Sequence, residues 1–199
     1  FFHTPGLKIV YPSNPYDAKG LLNAAIEDPN PVMYFEHKVM YRSVEADIPD
    51  DYYTVEIGKA ATISEGEDLS IITYGMGVHW AKEAMQNFGD YTADIIDLRT
   101  LLPWDKEAVE ASVKKTGKAI VLHEDCMTGG IGGEIVALIS VKRIFRSTMK
   151  DKSLVIVGYN EYGWYNANFF CLNSFFKVSK SNSNKNNPVE ILFFLAAIG

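Results

Sequence analysis

The chain has 199 residues, with 19 Lys and Arg against 25 Asp and Glu, for a formal net charge of −6. Hydrophobic residues make up 47% and charged residues 22%, the balance of a soluble globular protein with one large domain or two small ones. An acidic balance without clustered Lys and Arg argues against a nucleic-acid-binding surface, and the apolar run Ile191 to Ile198 is far short of the ~20 residues that cross a bilayer.

The opening Phe1-Phe2-His3-Thr4-Pro5-Gly6 has neither the basic flank nor the apolar stretch of a signal peptide, so the start is read as falling inside a domain. Leu7 to Tyr11 reads as a short buried strand, broken by Pro12-Ser13-Asn14-Pro15. Asn14 as N-cap with Pro15 at the first helical position opens a helix, with Ala18, Leu21, Leu22, Ala25 and Ile26 at helical spacing. Asp28-Pro29-Asn30-Pro31 ends it, and Val32 to Phe35 is the next strand, so a β-α-β unit with a parallel sheet is predicted. Residues 43–53 are polar and acidic with one proline, and read as a linker.

A second alternating series follows. Leu69 to Thr73 reads as a strand, Gly75 and Gly77 as a turn, His79 to Phe88 as a helix and Ala93 to Leu98 as a strand. Asp105 caps a helix that runs to Thr116 and stops at Gly117; Ala119 to His123 is another strand, and Thr128-Gly129-Gly130 opens a helix near Ile131. Such alternation predicts a three-layer α/β domain with right-handed crossovers. After Val141 the pattern changes: Phe145, a strand over Leu154 to Val157, aromatic stretches, and a polar run from Ser179 to Asn187 on which no structure is forced. The expected division is 1–48, 49–145 and a divergent tail 146–199 that is poorly packed or artefactual.

Cys126 and Cys171 form no C-x-x-C pair, which indicates neither a zinc site nor a disulfide framework. The histidines His3, His37, His79 and His123 lack H-E-x-x-H spacing. His3 stands before a Pro-Gly turn that feeds a strand, where an imidazole can reach a cleft and move protons; from the chemistry alone a structural or exposed histidine remains the commoner reading. The helix end at Ala25 to Asn30 offers free carbonyls, Asp28 and Asn30 as oxygen ligands for a hard cation, beside ordinary helix termination. Phe35-Glu36-His37-Lys38 and Tyr41-Arg42 follow a strand end, where ligands collect in parallel sheets. Gly75-Met76-Gly77 and Thr128 to Glu134 follow strands as phosphate loops do, but Trp80 and Ile135 stand where G-x-G-x-x-G has its third glycine, and close packing explains both clusters. Asp97 and Arg99 lie between a strand and a capped helix and could pair with each other or face a partner.

Taken in order, His3 to Lys8, Pro15-Tyr16-Asp17-Ala18-Lys19-Gly20-Leu21-Leu22, Ala25 to Pro31, Phe35 to Lys38, Tyr41-Arg42, Asp97 to Asp105 and His123-Glu124 before Thr128-Gly129-Gly130 resemble the β subunit of thiamine-diphosphate-dependent 2-oxo acid dehydrogenases. The branched-chain (2-oxoisovalerate) type is the best match and the pyruvate type is next, over residues 1–140. The resemblance implies the end of a pyrimidine-binding domain followed by a transketolase C-terminal-like domain, in an α2β2 tetramer or a fused α–β chain. It implies thiamine diphosphate and Mg2+ held largely by the α part, decarboxylation of a 2-oxo acid, and acyl transfer to lipoyl-lysine of an acyltransferase core, in a cytoplasmic, bacterial-like setting. His3 matches the family histidine that donates a proton during reductive acylation. Ala25, Ile26, Asp28 and Asn30 match a potassium site built mainly from backbone carbonyls. Two departures stand out: the glutamate that activates the aminopyrimidine lies upstream of Phe1, which implies that this chain alone does not use the cofactor, and the tail after Val141 departs from the family. Two rival readings are another thiamine enzyme acting on sugar phosphates, for which no basic cluster is seen, and a non-catalytic assembly module.

Overall fold

A computed structural model describes residues 1–125 and 129–141, together with strands at 153–158 and 190–193. In chain order the elements are β1 (Lys8–Val10), α1 (Pro15–Glu27), β2 (Val32–Tyr34), α2 (Met40–Ser43), β3 (Ala61–Ser64), β4 (Leu69–Thr73), α3 (Met76–Gln86), β5 (Ala93–Asp97), β6 (Thr100–Leu102), α4 (Lys106–Thr116), β7 (Lys118–His123), α5 (Ile131–Val141), β8 (Ser153–Gly158) and β9 (Glu190–Phe193). They form a three-stranded sheet in the order β2-β1-β6 and a six-stranded sheet in the order β3-β5-β4-β7-β8-β9.

The first sheet contains the expected β-α-β unit, with β1 and β2 parallel and Ile9 opposite Met33. α1 starts where Asn14 Oδ1 accepts the Asp17 N–H at 2.9 Å, with proline in the first turn. It stops where the Asp28 N–H takes the Ala24 carbonyl at 3.1 Å and Pro29 has no N–H to offer. Only part of the apolar stripe on α1 is buried: Leu21 is 0% exposed, while Leu22 and Ile26 are 45% and 75% exposed. The segment after residue 43 lies along this helix rather than swinging free. Lys19 Nζ donates to the Asp50 and Asp51 carbonyls at 3.1 and 3.0 Å, Asn23 donates to the Tyr53 carbonyl at 2.8 Å, and Tyr53 stacks on Tyr16 at 4.6 Å. Gly20 permits the approach, since a Cβ there would collide with Val55 and Tyr53.

The second sheet has helices on both faces, which gives the three-layer α/β arrangement. The two-residue strand period explains it. Leu69 and Ile71 of β4, Ala93 and Ile95 of β5, and Ile120 and Leu122 of β7 pack with Ala81 and Ala84 of α3. The alternate positions Ile72, Ile96, Ala119 and Val121 pack with Val109 and Val113 of α4 and with Ile131, Ile135 and Ile139 of α5. α4 is capped by Asp105, whose Oδ1 accepts the Ala108 N–H at 3.1 Å, and ends at Gly117 with φ +69.

Two expectations need correction. Thr100–Leu102, expected as part of a connection, is β6: it leaves the second sheet and pairs antiparallel with β1, Ile9 opposite Leu102. A three-residue apolar segment carries too little periodicity to announce its partner. Ile9, Tyr74, Leu101 and Trp104 consequently share one buried cluster with the second sheet. The strand expected over Leu154 to Val157 is present as β8, but it continues the earlier pattern rather than leaving it: β8 runs parallel to β7, from Lys118 opposite Ser153 to His123 opposite Gly158, and β9 runs parallel to β8. Cys126, Thr128, Phe145, Cys171 and the polar run 179–187 lie outside the described residues.

Candidate active-site crevice

The C-terminal ends of strands from both sheets meet in one crevice, the place where parallel α/β sheets gather ligands. Tyr11 follows β1, Phe35 follows β2, Tyr74 follows β4, and Glu124 follows β7. Tyr11 stacks on Phe35 at 6.2 Å between ring centroids and meets Tyr74 at 5.3 Å. Burial, helped by the Glu124 carboxylate, pushes the Tyr11 phenol up to about 12; burial likewise raises Tyr74. Both phenols therefore stay neutral at physiological pH. Gly75, at φ +55, lies against the Tyr11 ring where any Cβ would collide, so this glycine serves close packing rather than phosphate binding.

His3 is exposed at the edge of this crevice. Its Nε2 lies 3.1 Å from the Gly129 carbonyl, a contact between residues 126 positions apart. His37, beyond β2, has its Nε2 at 2.9 Å from Glu124 Oε2, with side-chain exposures of 16% and 34%. These two contacts tie the first sheet to Glu124, just after β7, and to Gly129, just before α5. His123 faces α5 and is 1% exposed, and burial holds its pKa below the usual value, so the ring is neutral. A Cβ on Gly132 would collide with that ring, which accounts for the glycine.

A second polar network crosses the same junction. Asp97 is fully buried, accepts from Ser13 Oγ and from the Arg99 N–H at 3.1 Å, and burial pushes its pKa up to about 7. Arg99 does not close onto Asp97. At φ +55 it turns toward Asp17, 3.0 Å away, and donates to the Lys59 and Ala60 carbonyls at 3.1 Å each. His79 Nε2 donates to the Ser13 carbonyl at 2.7 Å.

At the far end of α1, Ala25, Ile26, Asp28 and Asn30 lie outside the crevice. Lys8 and Asn30 hold the Asp28 carboxylate, Asn30 through both its N–H and its amide at 2.9 Å; the Lys8 contact leads in keeping Asp28 down at about 2. The crevice thus contains His3 but not these four residues. His37, Glu124 and the Tyr11–Phe35–Tyr74 cluster are part of it without having been assigned roles in the sequence. The strand-end rule, applied to β2 and β7, is the signal that finds them.

This arrangement is that of a transketolase-type pyrimidine-binding segment followed by a C-terminal domain. Residues 1–44 match the "Transketolase, pyrimidine binding domain" model and residues 58–161 match the "Transketolase, C-terminal domain" model. The second match covers more than half of the chain, and the chain belongs to that family. It is homologous to β subunits of 2-oxo acid dehydrogenases. It is 47% identical over 147 residues to "2-oxoisovalerate dehydrogenase subunit beta" of Bacillus subtilis, covering 73% of this chain and 45% of the relative. It is 45% identical over 148 residues to "2-oxoisovalerate dehydrogenase subunit beta 2, mitochondrial" of Arabidopsis thaliana, covering 73% and 41%. It is 46% identical over 143 residues to "Pyruvate dehydrogenase E1 component subunit beta" of Staphylococcus aureus, covering 71% and 44%. The chain therefore spans less than half the length of these relatives, and 47% against 46% does not separate the two types. The solved structure "Split gene transketolase, inactive beta4 tetramer" matches with a TM-score of 0.64 at 22% identity, over 86% of this chain and 54% of that one, and supports the fold. The family match runs to residue 161 and includes β8, so the resemblance extends past the break expected near Val141. Among the described residues no helix is long and apolar enough to cross a membrane.

Proposed function

We propose that the chain serves in the β subunit of the decarboxylating component of a 2-oxo acid dehydrogenase complex, of the 3-methyl-2-oxobutanoate type, with a pyruvate or acetoin type as the alternative. The observation that supports this most directly is the His3–Gly129 hydrogen bond at the strand-end crevice, in a chain homologous to such subunits. In this reading the assembled enzyme removes carbon dioxide from a 2-oxo acid and passes the acyl group to lipoyl-lysine of an acyltransferase core. Its partners are an α subunit or fused α part and a second β subunit.

Thiamine diphosphate with Mg2+ supplies the electron sink for decarboxylation when bound. In this reading the cofactor's diphosphate and Mg2+ are held mainly by the α partner. This chain's own contribution is proton delivery. When the acyl carbon bonds to one dithiolane sulfur, the S–S bond breaks and the other sulfur leaves as a thiolate, and His3 supplies its proton. In the full-length enzyme with its α partner, His3→Ala should lower lipoyl acylation by ~10²–10⁴ while decarboxylation measured with an artificial acceptor persists. Unchanged acylation would remove His3 from this role.

Ala25, Ile26, Asp28 and Asn30 are proposed as a potassium site. Pro29 cannot donate to the Ala25 carbonyl, and the Asn30 N–H goes to Asp28 Oδ1 instead of the Ile26 carbonyl. Two carbonyls without their helical donors, plus the Asn30 amide oxygen, suit a hard cation. Lys8 competes for one Asp28 oxygen. The melting midpoint should be higher in KCl than in choline chloride at equal ionic strength, because a ligand that binds the folded state stabilises it; equal midpoints would count the site out.

A further inference from the structure

We propose that the junction between the two sheets is a pH-sensitive latch: it is closed while the buried pair Asp17 and Asp97 holds one proton against the single guanidinium of Arg99, and it loosens when that proton leaves Asp97.

The charge count follows from the geometry. Asp17 and Asp97 are 4% and 0% exposed. They sit on different bodies: Asp17 is in the first turn of α1, and Asp97 ends β5 of the larger sheet. Two neutral side chains bridge them. The Asn14 amide donates to Asp17 Oδ2 at 2.7 Å and to Ser13 Oγ at 3.3 Å, and Ser13 Oγ donates to Asp97. The Arg99 guanidinium is committed to Asp17 Oδ1 at 3.0 Å and to the Lys59 and Ala60 carbonyls at 3.1 Å each. Asp97 receives only the Arg99 backbone N–H. The surroundings add no second cation to the pair. Lys59 turns its ammonium to Glu107 at 4.0 Å, and the residues opposite Asp97 in the sheet, Ala61 and Thr73, are uncharged. His79 of α3 is the remaining titratable group, placed on the Ser13 carbonyl at 2.7 Å.

Two ionised carboxylates against one guanidinium would leave a buried charge uncompensated, so holding a proton is favoured. Burial leads in pushing Asp97 up to about 7, against the hydrogen bonds from Ser13 and Arg99 and with help from the Asp17 charge. Opening the junction returns Asp97 to water, where it is an ordinary carboxylate of pKa ~4. As pH rises from there toward 7, the open form releases its proton first, so opening becomes easier through that window and levels off above it. The latch adjoins the crevice. Tyr11, which stacks on Phe35 and meets Tyr74, donates its N–H to the Arg99 carbonyl at 2.8 Å.

Amide hydrogen exchange on the full chain, corrected for the intrinsic rate at each pH, reads the opening. Protection of the Tyr11 and Arg99 amides should fall by at least roughly ten-fold between pH 5 and 7. The amides of Ile71 and Ile120, inside the larger sheet, should stay better protected at each pH. Asp97→Asn has no proton to release and should keep the junction's protection level over this range. Asp17→Asn removes the repelling charge, so the fall should level off about one pH unit earlier. His79→Gln keeps a donor for the Ser13 carbonyl and should leave the wild-type profile in place. If Asp97→Asn does not fold, Asp17→Asn against wild type decides the matter. Three results would overturn the proposal: junction protection that ignores pH in the wild type, junction and Ile120 amides that exchange alike, or a pH dependence lost in His79→Gln and kept in Asp97→Asn.

Discussion

β4 and β5 bury all of their residues between two helical layers, whereas β2 is only partly buried along its length and α1, which crosses beside it, leaves Leu22 and Ile26 open to solvent. The larger sheet makes its own core from the two faces of its strands. The smaller one depends on its neighbour: Ile9 is buried in the cluster that includes Trp104 and Ile72, and Val10 and Leu21 pack with Val55. The crevice sits where these two kinds of structure join, with His3 and His37 on the smaller sheet's side and Glu124 and Gly129 on the larger one's.

This contrast can be broken by mutation. Ile120 is 0% exposed on an interior strand of the larger sheet, so Ile120→Ala should cost roughly 2–5 kcal/mol in denaturant unfolding. If it cost no more than a surface change, the larger sheet would not be the stabilising body.

Asp97 tests the junction. Its folded-state pKa, about 7, lies above the ordinary carboxylate value. Below pH ~4 both folded and unfolded chains hold the proton. As pH rises toward 7 the unfolded chain releases it first, so stability is lost through that window and levels off above it. Asp97→Asn removes the proton from the balance. The variant should therefore gain on wild type between pH 4 and 7 by an amount on the order of a few kcal/mol. Unfolding curves that stay parallel across this range would show that burial does not raise Asp97.

At the exposed end, Leu22→Ala should change stability by no more than ~0.5 kcal/mol despite its place in the apolar stripe. A cost near that of Ile120→Ala would mean that α1 is covered in solution, and would sharpen the comparison in favour of a partner on that face.

Much of the fold was legible because its signals are local. Asn14, Asp105 and Gly117 act through atoms within a few residues of themselves, and the runs Leu69 to Thr73 and Ala119 to His123 are apolar enough to announce buried strands. Asp28 with Pro29 marks a helix end for the same reason. β6 was not legible, because three residues cannot say which sheet they join. β3 (Ala61–Ser64) escaped notice as a short antiparallel edge strand. The exposure of Leu22 and Ile26 also escaped the periodicity, which reports an apolar face but not whether anything in this chain covers it.

The candidate site divides in the same way. The ordered motifs picked out His3, and the family's own pattern supplied its expected role. Which nitrogen of that ring is committed, and to what, depends on a carbonyl 126 positions away. Arg99 and Asp17, 82 positions apart, meet only because β6 and the loop before it return to the first sheet. Amino-acid order determined the elements, their caps and the family, since these follow from contacts within one turn or one strand. The tertiary structure alone decided the Glu124–His37 tie, the burial of Asp97 and the make-up of the crevice, because hydrogen bonds and desolvation depend on distance in space, and no period in the sequence encodes which distant residues will share it.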